Sequence, residues 1–481
     1  MKRLSVLAMV MVVMASCAKE NIQPKNEPTG EKALLEIGLA STKTQLGTED
    51  KVNNLFPIVW SDGDEIAVIE NMGVKGKQNV SVYRLKEGAG TANGVFEHVS
   101  GDAFPKVIND VVYPASAVVP NSTLISDIPI VNVSSLVPKD QTQSYETDNF
   151  DKNAAVMYFH RNNSADKIIL EPLSSIICIP IKGFDDNDVV TAVKWQNMDG
   201  RTATVTLNCP NGVTLSKGQA TNFYLSIQPM LKDCNGIAYV YLKNGAIQVK
   251  TPRNLKAFKA GTLHRFPEWT LSKKAKWSIL AQGSERDNDT YKGVPYGPAK
   301  YMIDGNDVSW WEFRRELNAT KTGPKMAGPH TMVIDLGSKQ TINQISIKSK
   351  EIKTSPSYGI TYTDKNGKTV DIYGSQSFNP PHTFHIAFSE QQPTKDEIDQ
   401  FVSKKIWPET VSNKNDFTGT GTIDSNYGAD KTKWWDNTLK QPVTARYLFI
   451  HFEKAWDNAG TKPAASMMKV AELDINNLHS K

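Results

Sequence analysis

From residue 33 onward, short stretches rich in Val, Ile, Tyr and Thr recur between turn residues. They occupy 33–39, 65–70, 80–85, 154–160, 175–182, 202–207 and 236–242, which is the signature of strands packed on at least one face. Two Asn-Gly pairs, in Lys243-Asn244-Gly245-Ala246 and Lys365-Asn366-Gly367-Lys368, lie between such stretches. They predict type I′ hairpins, because Asn and Gly tolerate the left-handed backbone that this turn needs. Helical periodicity is scarce. Its best case is 394–407, where Thr394 and Glu397 have capping-box spacing and Ile398, Phe401, Val402 and Ile406 share a face, with Pro408 as the stop. The pattern predicts an all-β protein built of β-sandwiches in series.

The N-terminus follows a different rule. Met1-Lys2-Arg3 is basic and residues 4–14 are almost wholly apolar, the length of a signal h-region and too short to span a bilayer as a mature helix. Met14-Ala15-Ser16-Cys17 follows. Small residues before a cysteine at this point resemble the bacterial lipobox, although Met14 stands where Leu is usual. The resemblance implies a signal peptide over 1–16 and lipid attachment at Cys17. It also implies a lipid-anchored protein of the outer membrane, at the cell surface, since several acyl chains hold a protein stably. The other reading is an ordinary signal peptide cleaved near Ala15, with Cys17 incidental. Residues 17–30 are polar and read as a flexible tether.

Length and charge narrow the rest. The 481 residues exceed what one hydrophobic core usually serves. Lys+Arg 55 against Asp+Glu 51 gives +4, and Lys2 and Arg3 belong to the segment expected to be removed. So even a balance lacks the electrostatic footprint of a nucleic-acid binder. Four cysteines make no disulfide scaffold; Cys178 lies in an apolar run and reads as core, while pairing of Cys209 with Cys234 stays open. Seven of the ten tryptophans follow residue 276, which marks a junction at 266–276. A second, polar break lies at 162–166.

The first part resembles the fimbrillin (Mfa-like) family of surface and pilus lipoproteins. The residues that carry this are Thr42-Lys43-Thr44-Gln45-Leu46, the stretch Val59-Trp60-Ser61-Asp62-Gly63-Asp64-Glu65-Ile66, and Val112-Tyr113-Pro114-Ala115. Leu173-Ser174-Ser175-Ile176-Ile177-Cys178 and Phe258-Lys259-Ala260-Gly261-Thr262 complete it. The resemblance implies two tandem β-sandwiches, 31–163 and 164–270, and a role in adhesion or pilus assembly, with other fimbrillin subunits as partners. Read from the residues alone, Trp60 is a core aromatic leading into a tight turn at Gly63.

The last part is similar to discoidin domains, the coagulation factor 5/8 type C family. Tyr301-Met302-Ile303-Asp304-Gly305-Asn306-Asp307-Val308-Ser309-Trp310-Trp311 carries the likeness. So do His330-Thr331-Met332-Val333-Ile334-Asp335-Leu336-Gly337, residues 342–347, Ala445-Arg446-Tyr447-Leu448-Phe449-Ile450 and Val470-Ala471-Glu472-Leu473-Asp474-Ile475. The likeness covers 275–478 and implies a jelly-roll (galactose-binding-like) sandwich that binds sugars or lipids. Asp304, Asp307 and Ser309 place oxygen ligands close together, and Gly305 lets the backbone turn. A hard cation takes about six to eight oxygens at about 2.4 Å, which suits a structural calcium ion. In related domains a Glu matching Glu472 closes such a site. The alternative is an Asp-Gly turn held by its own hydrogen bonds.

Sugar recognition needs aromatic faces beside fixed polar groups. Trp310, Trp434 and Trp435 are the aromatic candidates, and Arg314 and His330 the polar ones; Trp311 fits a buried position. Neighbours in an extended segment point oppositely, so Trp434 and Trp435 are not both ligands. No H-E-x-x-H, G-x-S-x-G or Walker loop occurs, and His382 with His385 lacks the company of ligands that a metal needs. The expectation is a non-enzymatic, lipid-anchored cell-surface adhesin presenting a glycan-binding module, as a stand-alone protein or a pilus tip subunit. The alternatives are a glycan-capture lipoprotein of a polysaccharide-uptake system and a structural pilus subunit without glycan binding.

Overall fold

The computed structural model describes residues 33–39, 45–46, 58–70, 79–102, 108, 110–118, 137–143, 151–161, 167–197, 204–230, 233, 235–250, 252, 255–283, 289–291, 294–306, 309–312, 315–317, 324–326, 330–349, 361–363, 369–371, 381–411, 434–456, 463–464, 469–476 and 478. The fold is all-β, as the alternation predicts.

The chain begins with β1 (Leu34–Leu39), β2 (Glu65–Glu70), β3 (Asn79–Glu87), β4 (Asn93–Ser100), β5 (Asp110–Tyr113), β6 (Asp140–Thr142), β7 (Met157–His160) and β8 (Ile169–Pro172). All but β6 close into a barrel in the order β1-β8-β7-β5-β2-β3-β4, with β1 pairing both β8 and β4. Alternation in β2 turns Ile66 and Val68 into the barrel core, while Ala67 and Ile69 join a second apolar cluster with Val112 and Val118. Trp60 is wholly buried, edge-on to Phe96 at 4.8 Å and to Tyr113 at 5.6 Å. The tight turn forms with Gly63 at φ 79°. Asp64 is no surface turn residue: it is buried, and its carboxylate accepts from Ser61 N at 2.8 Å and from the Tyr113 hydroxyl at 3.0 Å.

Next come β9 (Ser175–Lys182), β10 (Val189–Asn197), β11 (Val205–Thr214), β12 (Thr221–Ile227), β13 (Gly236–Leu242), β14 (Ile247–Lys250), β15 (Leu263–Arg265) and β16 (Trp269–Thr270). One sheet runs β12-β9-β15, with β16 also on β9; the other runs β14-β13-β10-β11-β6. Ile177, Ile179, Phe223 and Leu225 meet Val193, Trp195, Leu207 and Val240 between them. The opposite face of β9 and β12 delivers Cys178 and Tyr224 to the barrel core. Apolar company on both faces explains why 175–182 reads as a continuous apolar run.

The break expected between 163 and 164 separates no strands cleanly. β6, before it, pairs with β11 of the second unit, and β8, after it, pairs with β1 of the barrel. Nor is the first Asn-Gly turn a type I′ turn. Gly245 alone takes a positive φ, 87°, and the loop is the three residues Lys243, Asn244 and Gly245, closed by Leu242 N donating to Ala246 O at 2.9 Å. Asn244 instead caps the loop through Ala246 N at 3.1 Å and reaches Ala275 O at 2.8 Å. The second Asn-Gly pair lies outside the described residues. Cys209 is free and buried in the second core, and Cys234 lies outside the described residues.

The last unit contributes β17 (Ser278–Gln282), β18 (Trp310–Glu312), β19 (Thr331–Ser349), β20 (Pro381–Ser389), α1 (Lys395–Lys404), β21 (Trp435–Trp456) and β22 (Lys469–Ile475). Their order is β18-β22-β19-β21-β20, with β17 also on β19. The two longest strands, β19 and β21, shift register between Asp335 and Gln340, beside Gly337 at φ 77°. The capping box at Thr394 and Glu397 forms, and α1 ends at Lys405 in the left-handed conformation, ahead of Pro408. Its Phe401 is buried against Phe449, ring centroids 5.2 Å apart.

Candidate functional site

Three pieces of chain meet at one end of the last unit. A short 3-10 turn, Lys273–Lys276, leads out of the second unit; the 301–309 segment follows β17; and β22 runs between β18 and β19. Asp304 is fully buried. Its Oδ1 accepts from Asn306 N at 2.8 Å and its Oδ2 from Ser309 Oγ at 2.5 Å. Its own carbonyl accepts from Val249 N on β14 at 3.1 Å. Gly305, at φ 78°, turns its N–H toward Glu472 Oε1 at 3.3 Å. Asp304, Ser309 and Glu472, nominated from separate parts of the sequence, therefore come together; Asp307 lies outside the described residues.

A cation of the chain itself lies among them. Lys274 is buried, with its ammonium hydrogen-bonded to Glu472 Oε1 and 3.8 Å from Asp474 Oδ1. Trp277 stands 5.6 Å from that ammonium, ring centroid to Nζ, and Trp434 5.8 Å. Lys348, opposite Glu472 across the β19–β22 ladder, lies over Trp434 at 5.8 Å as well. Burial, with the Glu472 charge added, pushes the Asp304 carboxyl well above the usual carboxylate range, against the pull of Ser309, Asn306 and Lys274. Both Asp304 oxygens are occupied by donors, and Glu472 Oε1 holds an ammonium and an N–H. As folded, the Lys274 ammonium holds the Glu472 oxygen that a calcium ion would share, and a calcium cage needs such lone pairs turned toward one empty centre.

Of the nominated sugar contacts, the side chains of Trp434, Trp435 and His330 are described, and they lie in different surroundings. Trp435 faces inward as a core residue, edge-on to Phe384 at 5.1 Å, which removes it from any ligand face. Trp434, its neighbour, is half-buried, with the ammonium groups of Lys274 and Lys348 each 5.8 Å from its ring centroid. Trp311 is fully buried, 5.5 Å from Phe452. Trp310 lies in β18 paired to Tyr296, its side chain outside the described residues, as are Arg314 and Cys17.

His330 is buried under α1, its carbonyl accepting from Phe452 N at 2.9 Å. Burial lowers the pKa of His330 and of His451 to about 4, helped by their mutual proximity for His330 and by Lys405 for both. Both are therefore neutral in the fold but take up a proton near pH 6.5 once unfolded. The unfolded chain binds more protons between pH 6.5 and 4, so stability is full above that window and falls as the pH drops through it. Acid melts should show a loss on the order of 2 kcal/mol for each histidine. His451→Asn should flatten that slope in melts between pH 7 and 4.5.

Two features of this region escape a reading of the sequence. Lys274 belongs to a segment that looks like a linker, and no local spacing announces its partners about 200 residues away. His385 meets Glu453 of the neighbouring strand at 2.8 Å and stacks on His451 at 5.6 Å, contacts set only by the β20–β21 register. No helix among the described residues is long and apolar enough to cross a membrane.

No protein-family model matches the chain, and no curated protein matches it. Among solved structures it is similar to a family 32 carbohydrate-binding module of NanJ from C. perfringens, solved with galactose, at 14% identity, covering 42% of this chain and 95% of that one, TM-score 0.23. The C-terminal domain of a chitobiase from Bacteroides fragilis is similar at 19% identity, with 42% and 95% covered and a TM-score of 0.24. A SusE-like protein is similar at 10% identity over 63% of this chain and 95% of its own, TM-score 0.26.

Proposed function

We propose that the protein is a lipid-anchored cell-surface adhesin, held through Cys17, that carries a carbohydrate-binding discoidin-like module on two fimbrillin-like units. One observation carries this reading. The separated stretches that resemble discoidin domains, 330–337, 342–347, 445–450 and 470–475, lie on adjacent strands β19, β21 and β22 around one core. A shared sheet is what a common fold requires of pieces scattered from residue 330 to residue 475. The solved modules carrying galactose, and N-acetylgalactosamine linked to galactose, suggest the ligand class. A role in binding rather than catalysis accords with a sequence that holds no catalytic signature.

A terminal or stand-alone position, rather than a repeating shaft subunit, is supported by the barrel. Strand addition needs an open sheet edge; closure removes the edges of the first unit, so a donated strand would have to join one of the open sheets of the second. Glycan capture for uptake is the second reading.

The test is a glycan array probed with the chain from residue 18 onward. Galactose- or N-acetylgalactosamine-containing glycans should be retained. Trp434→Ala should weaken retention at least about tenfold, in line with loss of an aromatic face in a binding site. A chain that retains no glycan, while melting cooperatively, would remove the carbohydrate reading.

A further inference from the structure

We propose that the ammonium group of Lys274 is the permanent cation of the last unit, doing there what a calcium ion would do and making the fold independent of metal. The geometry supplies each part of this. A cation at this place has to join the 301–309 turn to the C-terminal strand, and the Lys274 ammonium holds the Glu472 oxygen that also accepts from Gly305 N. Its reach extends to Asp474 at 3.8 Å, and the indole faces of Trp277 and Trp434 complete its surroundings. Two buried carboxylates, Glu472 and Asp474, flank the ammonium, with the buried Asp304 carboxyl group nearby. Like charges in a dry interior need a compensating positive charge.

The backbone around Lys274 is held from both sides, so the ammonium is delivered rather than left to search. Ser272 donates through both N–H and hydroxyl to Gln248 Oε1, at 3.2 and 2.7 Å. Asn244 Nδ2 donates to Ala275 O at 2.8 Å. Two residues on, Lys276 turns the other way and bridges Asp185 at 2.9 Å and Asp188 at 2.5 Å in the second unit. Successive even-numbered lysines of one turn thus serve two units. The turn is a pinned strap whose Lys274 points into the last unit and whose Lys276 points into the second. A calcium ion would have to displace a tethered group that pays no loss of translational freedom.

The experiment uses the chain from residue 18 onward, melted in millimolar calcium and in EDTA, with calcium binding followed by titration calorimetry. The wild type should melt at the same temperature in both buffers and show no calcium uptake. Lys274→Ala should lower the midpoint of the last unit by roughly 5–15 °C in EDTA. Calcium should then recover part of that loss, because the carboxylates are left without their cation. Lys243→Ala, on an exposed lysine of the nearby loop, should change neither measurement. A wild-type midpoint that rises with calcium and falls with EDTA would overturn the proposal. So would a Lys274→Ala chain as stable as the wild type in EDTA. Should Lys274→Ala fail to fold, the wild-type melts and titration decide alone.

Discussion

Trp60→Ala should destabilise the barrel by about 3–5 kcal/mol, the range for emptying the site of a large buried aromatic. The ring has no exposed surface and touches Phe96 and Tyr113 edge-on, so neither neighbour can slide into the space without losing its own contacts. Its backbone is fixed too: Trp60 N donates to Thr91 O, and Gly90 N donates to Trp60 O, both at 2.8 Å. Gly94 shows how little slack exists, since a Cβ there would stand 2.9 Å from Trp60 Cδ1 and 2.8 Å from Phe96. A second readout separates local loosening from global collapse. The Cys178 thiol lies in the same core, delivered from β9, so the loss of Trp60 should speed its labelling by a thiol reagent in the folded protein. Cys209, in the other core, should keep its protection, because burial raises its pKa to about 12 and shields it from attack. Unchanged Cys178 labelling would show that the barrel core does not reach across to β9, and equal acceleration at both cysteines would show global opening in place of local loosening.

Much of this architecture is legible before any coordinates. Residues 65–70 and 236–242 carry enough β-branched and aromatic side chains to be strands in almost any surroundings, and Thr394 with Glu397 states its helix start locally. What is not legible is decided by partners far along the chain. The 175–182 run gives no sign of which face meets the barrel, because both faces are apolar. The Asn244-Gly245 pair misleads, since the dipeptide allows a type I′ turn, while the reach of Asn244 to Ala275 O accompanies a different loop. A barrel in place of a first sandwich depends on β8 crossing the polar break at 162–166 to meet β1, a parallel pairing that no local pattern encodes. At the site, oxygen ligands in 304–309 were readable as a cluster. The identity of the positive charge among them was not, because Lys274 and Glu472 are 198 residues apart and chemistry of that kind is written only in the fold.

Reversing one member of that pair is the severest single change the structure offers. Glu472→Lys would bury a second ammonium beside Lys274, with Lys348 opposite on the ladder. Removing one partner of a buried pair alone costs about 3–5 kcal/mol, and an added like charge makes the figure larger. The last unit should therefore fail to fold, or melt far below the first two, and appear in limited proteolysis as loss of the chain after about residue 275. The informative partner experiment is the exchange, Lys274→Glu with Glu472→Lys. If the two charges interact directly, the exchange should recover a substantial part of the stability that either single change removes, a coupling a double-mutant cycle measures as non-additivity. Recovery should be incomplete for a stated reason. Glu at 274 would face Asp474 and lose the cation–π contacts with Trp277 and Trp434, which only a positive charge can make. Strict additivity of the two single changes would mean that Lys274 and Glu472 are stabilised by separate surroundings, and that the clamp between the 301–309 turn and β22 does not depend on their pairing.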